Sequence, residues 1–275
     1  MDRTRRNLLI GSAIFGAGAA AGGLLPTACA INRIRGKSVT TMDSVPMRPE
    51  GDARPALDED LAPVLARLDA WYAANLAADK YMFNPPATNE QIDAFEQLVG
   101  FPMPRSYRQL YRWHNGENDD RWGHIYGLPL LPLEQAATNW KMWTGILAEL
   151  GGNRYAVPGG AWPEDAVDPA YINPAWIPLT HDGSGNHIGL DLDPWPGGRV
   201  GQVILFGRDE DVKVVLAESL GQFLGWVAGL LESGNFRLEV AADEDVLRQF
   251  RLKHPPTDDF HEGARILLGA PGQFL

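Results

Sequence analysis

Apolar positions recur three or four residues apart through the first half of the chain and alternate in the second half. This change of period separates a helical front from a strand-rich back. Leu57, Leu61, Val64, Leu65, Leu68, Trp71 and Leu76 fall near one face, predicting a first helix from about Leu57 to Ala78. Asn84, Pro85 and Pro86 break the chain. Thr88 and Gln91 form a capping box that opens a second helix burying Ile92, Phe95, Leu98 and Val99, with Gly100 as its stop. Pro102 and Pro104 suit the first turn of a third helix carrying Tyr107, Leu110, Tyr111 and His114, and Asn115-Gly116 takes the left-handed turn that ends it. Ile125 to Leu131 reads as a short strand interrupted by Pro129, and Leu133 to Leu150 as a helix ended by Gly151 and Gly152. Residues 153–175 carry Pro158, Pro163, Pro169 and Pro174 without periodicity, which predicts a long loop.

Trp176 to Thr180 begins the strand block. After the turn Asp182 to Asn186, residues His187 to Asp193 alternate: Ile188, Leu190 and Leu192 take one face, His187, Asp191 and Asp193 the other. Trp195 to Gly198 turns the chain, Gly201 to Phe206 returns it, and Val212 to Leu216 follows. Links this short require antiparallel pairing. Ser219 and Gln222 form a second capping box; its helix buries Leu220, Phe223, Leu224, Val227 and Leu231 and runs to Glu232, with Gly234 as cap. A strand at Phe236 to Val240 and a short helix at Asp243 to Phe250 precede a Pro255-Pro256 break. The expected class is α+β: a small antiparallel sheet of four to six strands with helices on one side. The α+β domain spans residues 57–235, behind a flexible linker at 31–56 rich in proline and charge and before a C-terminal extension at 236–275.

The formal net charge of -11 argues against nucleic acid as a partner and suits a basic protein; solubility alone explains the acid equally well. Cys29 is the one cysteine, so neither an intramolecular disulfide nor a cysteine zinc site is available. Residues 1–30 have a basic start (Arg3, Arg5, Arg6), a mildly apolar middle to Leu25 and small residues around Cys29. This looks like a twin-arginine export signal. Cleavage after Ala30, lipidation of Cys29, or an uncleaved anchor would each leave the domain periplasmic or on the outer face of an inner membrane. Membrane contact would come only through that signal or lipid.

His181, Asp182, His187, Asp191 and Asp193 bring five possible metal ligands into one short segment. Asp182, Ser184, Asn186 and Asp193 even match part of a calcium loop, but His187 stands where that loop needs glycine. Turn chemistry explains every one of these residues, so no metal and no cofactor is expected. The competing reading is a hydrolase built on Asp182, Asp191 and Asp193. Trp140 and Trp143 lie three apart on a predicted helix, and Trp162 and Trp195 lie in loops; if exposed, they would anchor a protein or a sugar ring. His114 suits a helix C-terminus as a cation, and His254 and His261 read as solvated.

Two stretches carry a family resemblance. One runs from Leu98 through Pro104 and Tyr107–Tyr111 to Trp113-His114-Asn115-Gly116; the other runs from Trp176 to Gly234. Together they resemble the core of the SUKH superfamily, the Smi-Knr group, over roughly residues 85–235. That group contains fungal cell-wall assembly regulators and bacterial immunity proteins. The resemblance implies a binding fold without a catalytic residue set. It makes Pro104, Asn115, Gly116, Asp182, Gly183, Gly185 and Asn186 scaffold positions, and leaves Trp140, Trp143, Trp162, Trp195, Asp191 and Asp193 as the candidate binding residues. The expected action is occlusion of a toxin or an envelope protein by an acidic, aromatic-studded concave sheet face.

Overall fold

The computed structural model describes residues 45–76, 82–118, 123–152, 155, 160–239 and 249–272. Among them are six helices: α1 (Ala62–Asn75), α2 (Asn89–Val99), α3 (Arg105–Trp113), α4 (Leu133–Glu149), α5 (Leu220–Glu232) and α6 (Phe260–Leu268). Five strands, β1 (Ala161–Trp162), β2 (Trp176–Pro178), β3 (Asn186–Asp191), β4 (Gln202–Gly207) and β5 (Lys213–Ala217), form one sheet in the order β1-β5-β4-β3-β2. A separate hairpin pairs β6 (Arg237–Glu239) with β7 (Gln249–Arg251). The class is α+β, as expected. The short links do give antiparallel pairs from β2 to β5. The sheet is nevertheless mixed, because β1 lies parallel to β5. It enters from the long loop, where no tight turn dictates its direction.

Local chemistry explains where the elements begin and end. Thr88 accepts from the Gln91 backbone while the Gln91 side chain accepts from Thr88 N–H, so the capping box of α2 is complete. At Ser219 only half of the expected box forms: Ser219 accepts from Gln222 N–H, and it is Glu59, not the Gln222 side chain, that takes the Ser219 hydroxyl and the Gly221 N–H. α1 starts at Ala62 rather than Leu57 because Pro63 is tolerated only in a first turn. The strand expected at Ile125 to Leu131 is absent. Tyr126 and Gly127 take positive φ and fold it into a tight turn, leaving isolated bridges at Ile125↔Leu128 and Leu130↔Thr180. The helix expected to end at Phe250 is likewise replaced at its end by β7, while residues 240–248 lie outside the described residues.

Alternation along the strands sends side chains to two faces, and both are buried. Ile177, Ile188, Leu190, Val203, Leu205, Val214 and Leu216 join the helices in the main core. Ile204, Phe206 and Trp176 point the other way and pack against Ala166 and Val167 of the long loop. α4 reaches this second face through Trp143. Helices are therefore not confined to one side. Gly189 is dictated by this closeness: a Cβ there would sit 2.2 Å from the Ile177 carbonyl oxygen and 2.8 Å from the Phe206 ring.

Residues on either side of the predicted domain also pack. Arg48 and Arg54 seat residues 45–56 against the turn after β3, bonding Asp193, the Pro194 and Gly198 carbonyls, and Glu218. Phe250, Leu252, Phe260 and Ala264 enter the main core from the C-terminal side. Residues 1–44, with Cys29, lie outside the described residues.

Candidate functional site

The acidic and imidazole residues of the strand block do not converge. Asp182 closes the turn before β3: its Oδ1 accepts from Ser184 N–H (2.7 Å) and Asn186 N–H (3.0 Å), and its Oδ2 from the Asn186 amide (2.7 Å). Asn186 Oδ1 in turn accepts from Asp209 N–H, tying this turn to the next. Gly183 and Gly185 supply the positive φ the loop needs. Asp191 lies at the other end of β3, about 17 Å away along a six-residue strand. Asp193 follows it and is paired at 2.7 Å with Arg48, both half exposed. Among the described residues no group of three or more His, Cys, Asp and Glu is placed to hold a metal ion.

The polar face of β3 is covered rather than open. His187 is fully buried; its Nδ1 faces the Thr180 carbonyl at 2.9 Å, which makes it the donor nitrogen, and its Nε2 accepts from the Trp143 indole at 3.0 Å. Both nitrogens are spent, and burial pushes its pKa down to about 4. The ring is a neutral bridge, with no lone pair left for a base or a ligand. Asp191 is fully buried as well. Its Oδ2 accepts from Gln202 Nε2 (3.0 Å) and its Oδ1 from Asp193 N–H (3.1 Å). Burial pushes its pKa up to about 7, against those two bonds.

The tryptophans are mostly committed to packing. Trp143 and Trp195 are buried. Trp140 and Trp162 are half-buried against the core, with the Trp140 indole donating to the Pro174 carbonyl (2.7 Å). Among the described residues the sheet face expected to occlude a partner is covered, by Ala166 and Val167 of the long loop and by Trp143 of α4.

Two imidazoles differ from expectation. His114 is packed in a ring cluster with Phe83 and Trp113 and bonds the Asn84 carbonyl; burial lowers its pKa, which disfavours the cation expected at a helix end. His261 is buried, not solvated. Asp259 caps α6, which turns His261 and Arg265 inward onto buried Glu210. Lys213, also fully buried, donates to the Glu210 carbonyl and lies 5.6 Å from the Trp176 ring. Sequence reasoning missed α6, although Asp259, Glu262 and Gly269 mark its two ends.

An open site lies elsewhere, between α2 and α4. A groove of about 700 Å³ is lined by Phe95, Leu98, Ala94, Leu133 and Ala137 from the helices and by Pro85, Pro86 and Pro132 from the loops. Leu98, expected in the core, is 36% exposed. The buried stripe of α2 is Ile92, Phe95 and Val99, and Leu98 sits about 100° around the helix from Val99. The Trp113–Gly116 segment builds one end of the groove. Asn115 Oδ1 accepts from Leu133 N–H (3.0 Å) and so starts α4, while Asn84 Nδ2 donates to the Asn115 carbonyl (3.0 Å). Gly116 has φ +67°, and a Cβ there would meet Pro132 N at 2.3 Å. Pro104 precedes the first turn of α3 and lies within reach of Gly201, joining the two halves of the motif.

Comparison with known proteins follows this architecture. The chain is 29% identical over 233 residues to the cell wall assembly regulator SMI1 of Saccharomyces cerevisiae, covering 71% of this chain and 46% of that protein. It is 32% identical over 220 residues to the cell wall biosynthesis/cell cycle regulator smi1 of Schizosaccharomyces pombe, covering 76% and 42%. It is 29% identical over 217 residues to the glucan synthesis regulatory protein of Neurospora crassa, covering 67% and 41%. The chain thus spans less than half the length of each of these three relatives. They are named as regulators, which fits a non-enzyme reading. They also overturn the expected periplasmic placement behind a twin-arginine signal, because they are eukaryotic regulators of wall and glucan assembly. Among the described residues no helix is long and apolar enough to cross a membrane. The SMI1 / KNR4 family (SUKH-1) matches residues 86–226, from the loop before α2 to the middle of α5. That span holds the first motif stretch, the second as far as Trp226, the groove lining apart from Asn84 and Pro85, and the full run from β1 to β5, and on it this chain belongs to the SMI1 / KNR4 family.

Proposed function

We propose that this chain is a non-enzymatic protein-binding domain of the Smi1/Knr4 type, acting in cell-wall assembly, and that the groove between α2 and α4 receives a segment of its partner protein. The observation that carries this reading is the groove itself. It exposes Leu98, Ala94, Pro85 and Pro86 around an apolar floor, while the sheet faces are covered and the carboxylates of the strand block are engaged in turns and strand ends. Its volume falls in the range of true binding clefts. The relatives' names favour the wall-regulator branch over the immunity branch that the family resemblance also raises. The docking unit on this reading is the 57–235 body, with the segments on either side seated against it.

The test uses a fungal strain lacking its own relative. A chimera carrying this chain in place of the matching region should restore growth under cell-wall stress, and the same chimera with Leu98→Arg should not, at equal protein level. Equal rescue by both would remove the groove from the function. Rescue lost with Asp182→Ala at unchanged folding, together with release of a hydrolysis product, would return the hydrolase reading.

A further inference from the structure

Building on that docking reading, we infer that the groove selects a short apolar segment bearing a basic side chain, with Glu134 as the group that recognises the charge. Among the described residues Glu134 is the one charged residue lining the groove; the other polar lining groups are the amides of Asn84, Gln91, Asn115 and Gln135. It is exposed in the first turn of α4, and among the described residues its carboxylate has no partner. The contrast with its neighbours matters. Asp93 and Glu96 of α2 both bond Arg108 on the flank of that helix, so their carboxylates are already partnered. An acidic segment entering the groove would meet Glu134 with no basic lining side chain to receive it. A cationic one gains that pair and is drawn in by the net charge of -11.

The size of the site sets the length of the segment. Gln91 to Leu98 spans about 10 Å of helix. That matches about three extended residues or two helical turns. Ala94 and Leu98 on one helix, with Leu133 and Ala137 on the other, each lie four residues apart, so each helix lines the groove with one short apolar row. The recognised unit is therefore compact: two apolar residues and a lysine or arginine, with the Gln135 amide available to its backbone while Asn84, Asn115 and Gln91 each already make one bond within the fold.

The experiment uses the full chain and two fluorescein-labelled synthetic peptides, one of leucine and lysine, the other with every lysine replaced by glutamate. Binding is read by fluorescence anisotropy. The lysine peptide should bind at least about tenfold tighter than the glutamate peptide. Glu134→Lys should weaken it by about tenfold, while Glu164→Lys, an equal change of net charge at an exposed loop residue, should leave it within about twofold. Equal weakening by the two substitutions would mean diffuse attraction to an acidic protein and would overturn the inference. If Leu98→Arg abolishes binding of both peptides and Glu134→Lys changes nothing, the groove docks apolar segments without charge preference; this inference fails and the docking reading stands. If Leu98→Arg is silent as well, both fall. Circular dichroism of each variant checks that these surface changes leave the fold intact.

Discussion

Replacing Asp191 by asparagine gives a prediction whose sign and size follow from the structure. The carboxyl is fully buried, and burial raises its pKa from 3.8 to about 7 despite bonds from Gln202 and the Asp193 N–H. A raised value means the folded state holds the proton more tightly than the unfolded chain. This contribution to stability is complete below pH 3.8 and is lost as pH climbs to about 7. The loss amounts to about 4 kcal/mol, or about 1.4 kcal/mol per pH unit across the window. His187 works in the opposite sense. Its depressed pKa, about 4 against 6.5, adds stability above pH 6.5 that fades as pH falls toward 4. The two nearly cancel in the wild-type profile, so the variant must be compared with the wild type at each pH. Asparagine keeps one oxygen for the Asp193 N–H, turns its NH2 toward the Gln202 donor at a cost that does not vary with pH, and carries no titrating proton. In urea unfolding followed by tryptophan fluorescence, Asp191→Asn should gain on the wild type by about 4 kcal/mol between pH 4 and pH 8. A stability difference that stays constant with pH would refute the reasoning, because it would mean the carboxyl is solvated or permanently paired.

Other outcomes test the remaining architecture. Arg265→Met, which leaves buried Glu210 with only His261 beside it, should cost about 3–5 kcal/mol in thermal or urea unfolding and expose the amides of α6 to hydrogen exchange. Gly189→Ala should fail to give soluble, folded protein on expression, since its methyl group meets backbone oxygen at 2.2 Å. Thr88→Ala should cost about 1 kcal/mol in urea unfolding by opening the capping box of α2. Asp193→Ala, which breaks a half-exposed pair with Arg48, should change stability by less than about 1 kcal/mol.

Much of this fold was legible because its signals are local. Thr88, Gly100 and Ser219 mark helix ends through one or two hydrogen bonds, and the glycines at 183 and 185 mark a turn through φ alone. What escaped depended on partners distant in sequence. The alternation of β3 gave the right two faces but not the cover over the polar one, because residues 160–176 carry no period of their own. His187 and Asp191 thus looked available and proved buried. The Pro63 limit on α1 and the Asp259 cap of α6 were readable and were passed over. The groove was the hardest feature to foresee. Leu98 fits an apolar helix stripe in sequence, and its position off that stripe emerges only from how α2 meets α4.

The docking claim is tested most directly by placing a photo-crosslinking amino acid at Ala94, in the groove, and in a second protein at Ile266, an apolar residue 53% exposed on α6. Irradiation during growth under wall stress, followed by mass spectrometry of the adducts, should show a protein partner joined at position 94 through a short basic, apolar segment, and no adduct of that partner at position 266. Adducts confined to position 266, with position 94 unmodified, would place the docking surface on the C-terminal helix and contradict the account.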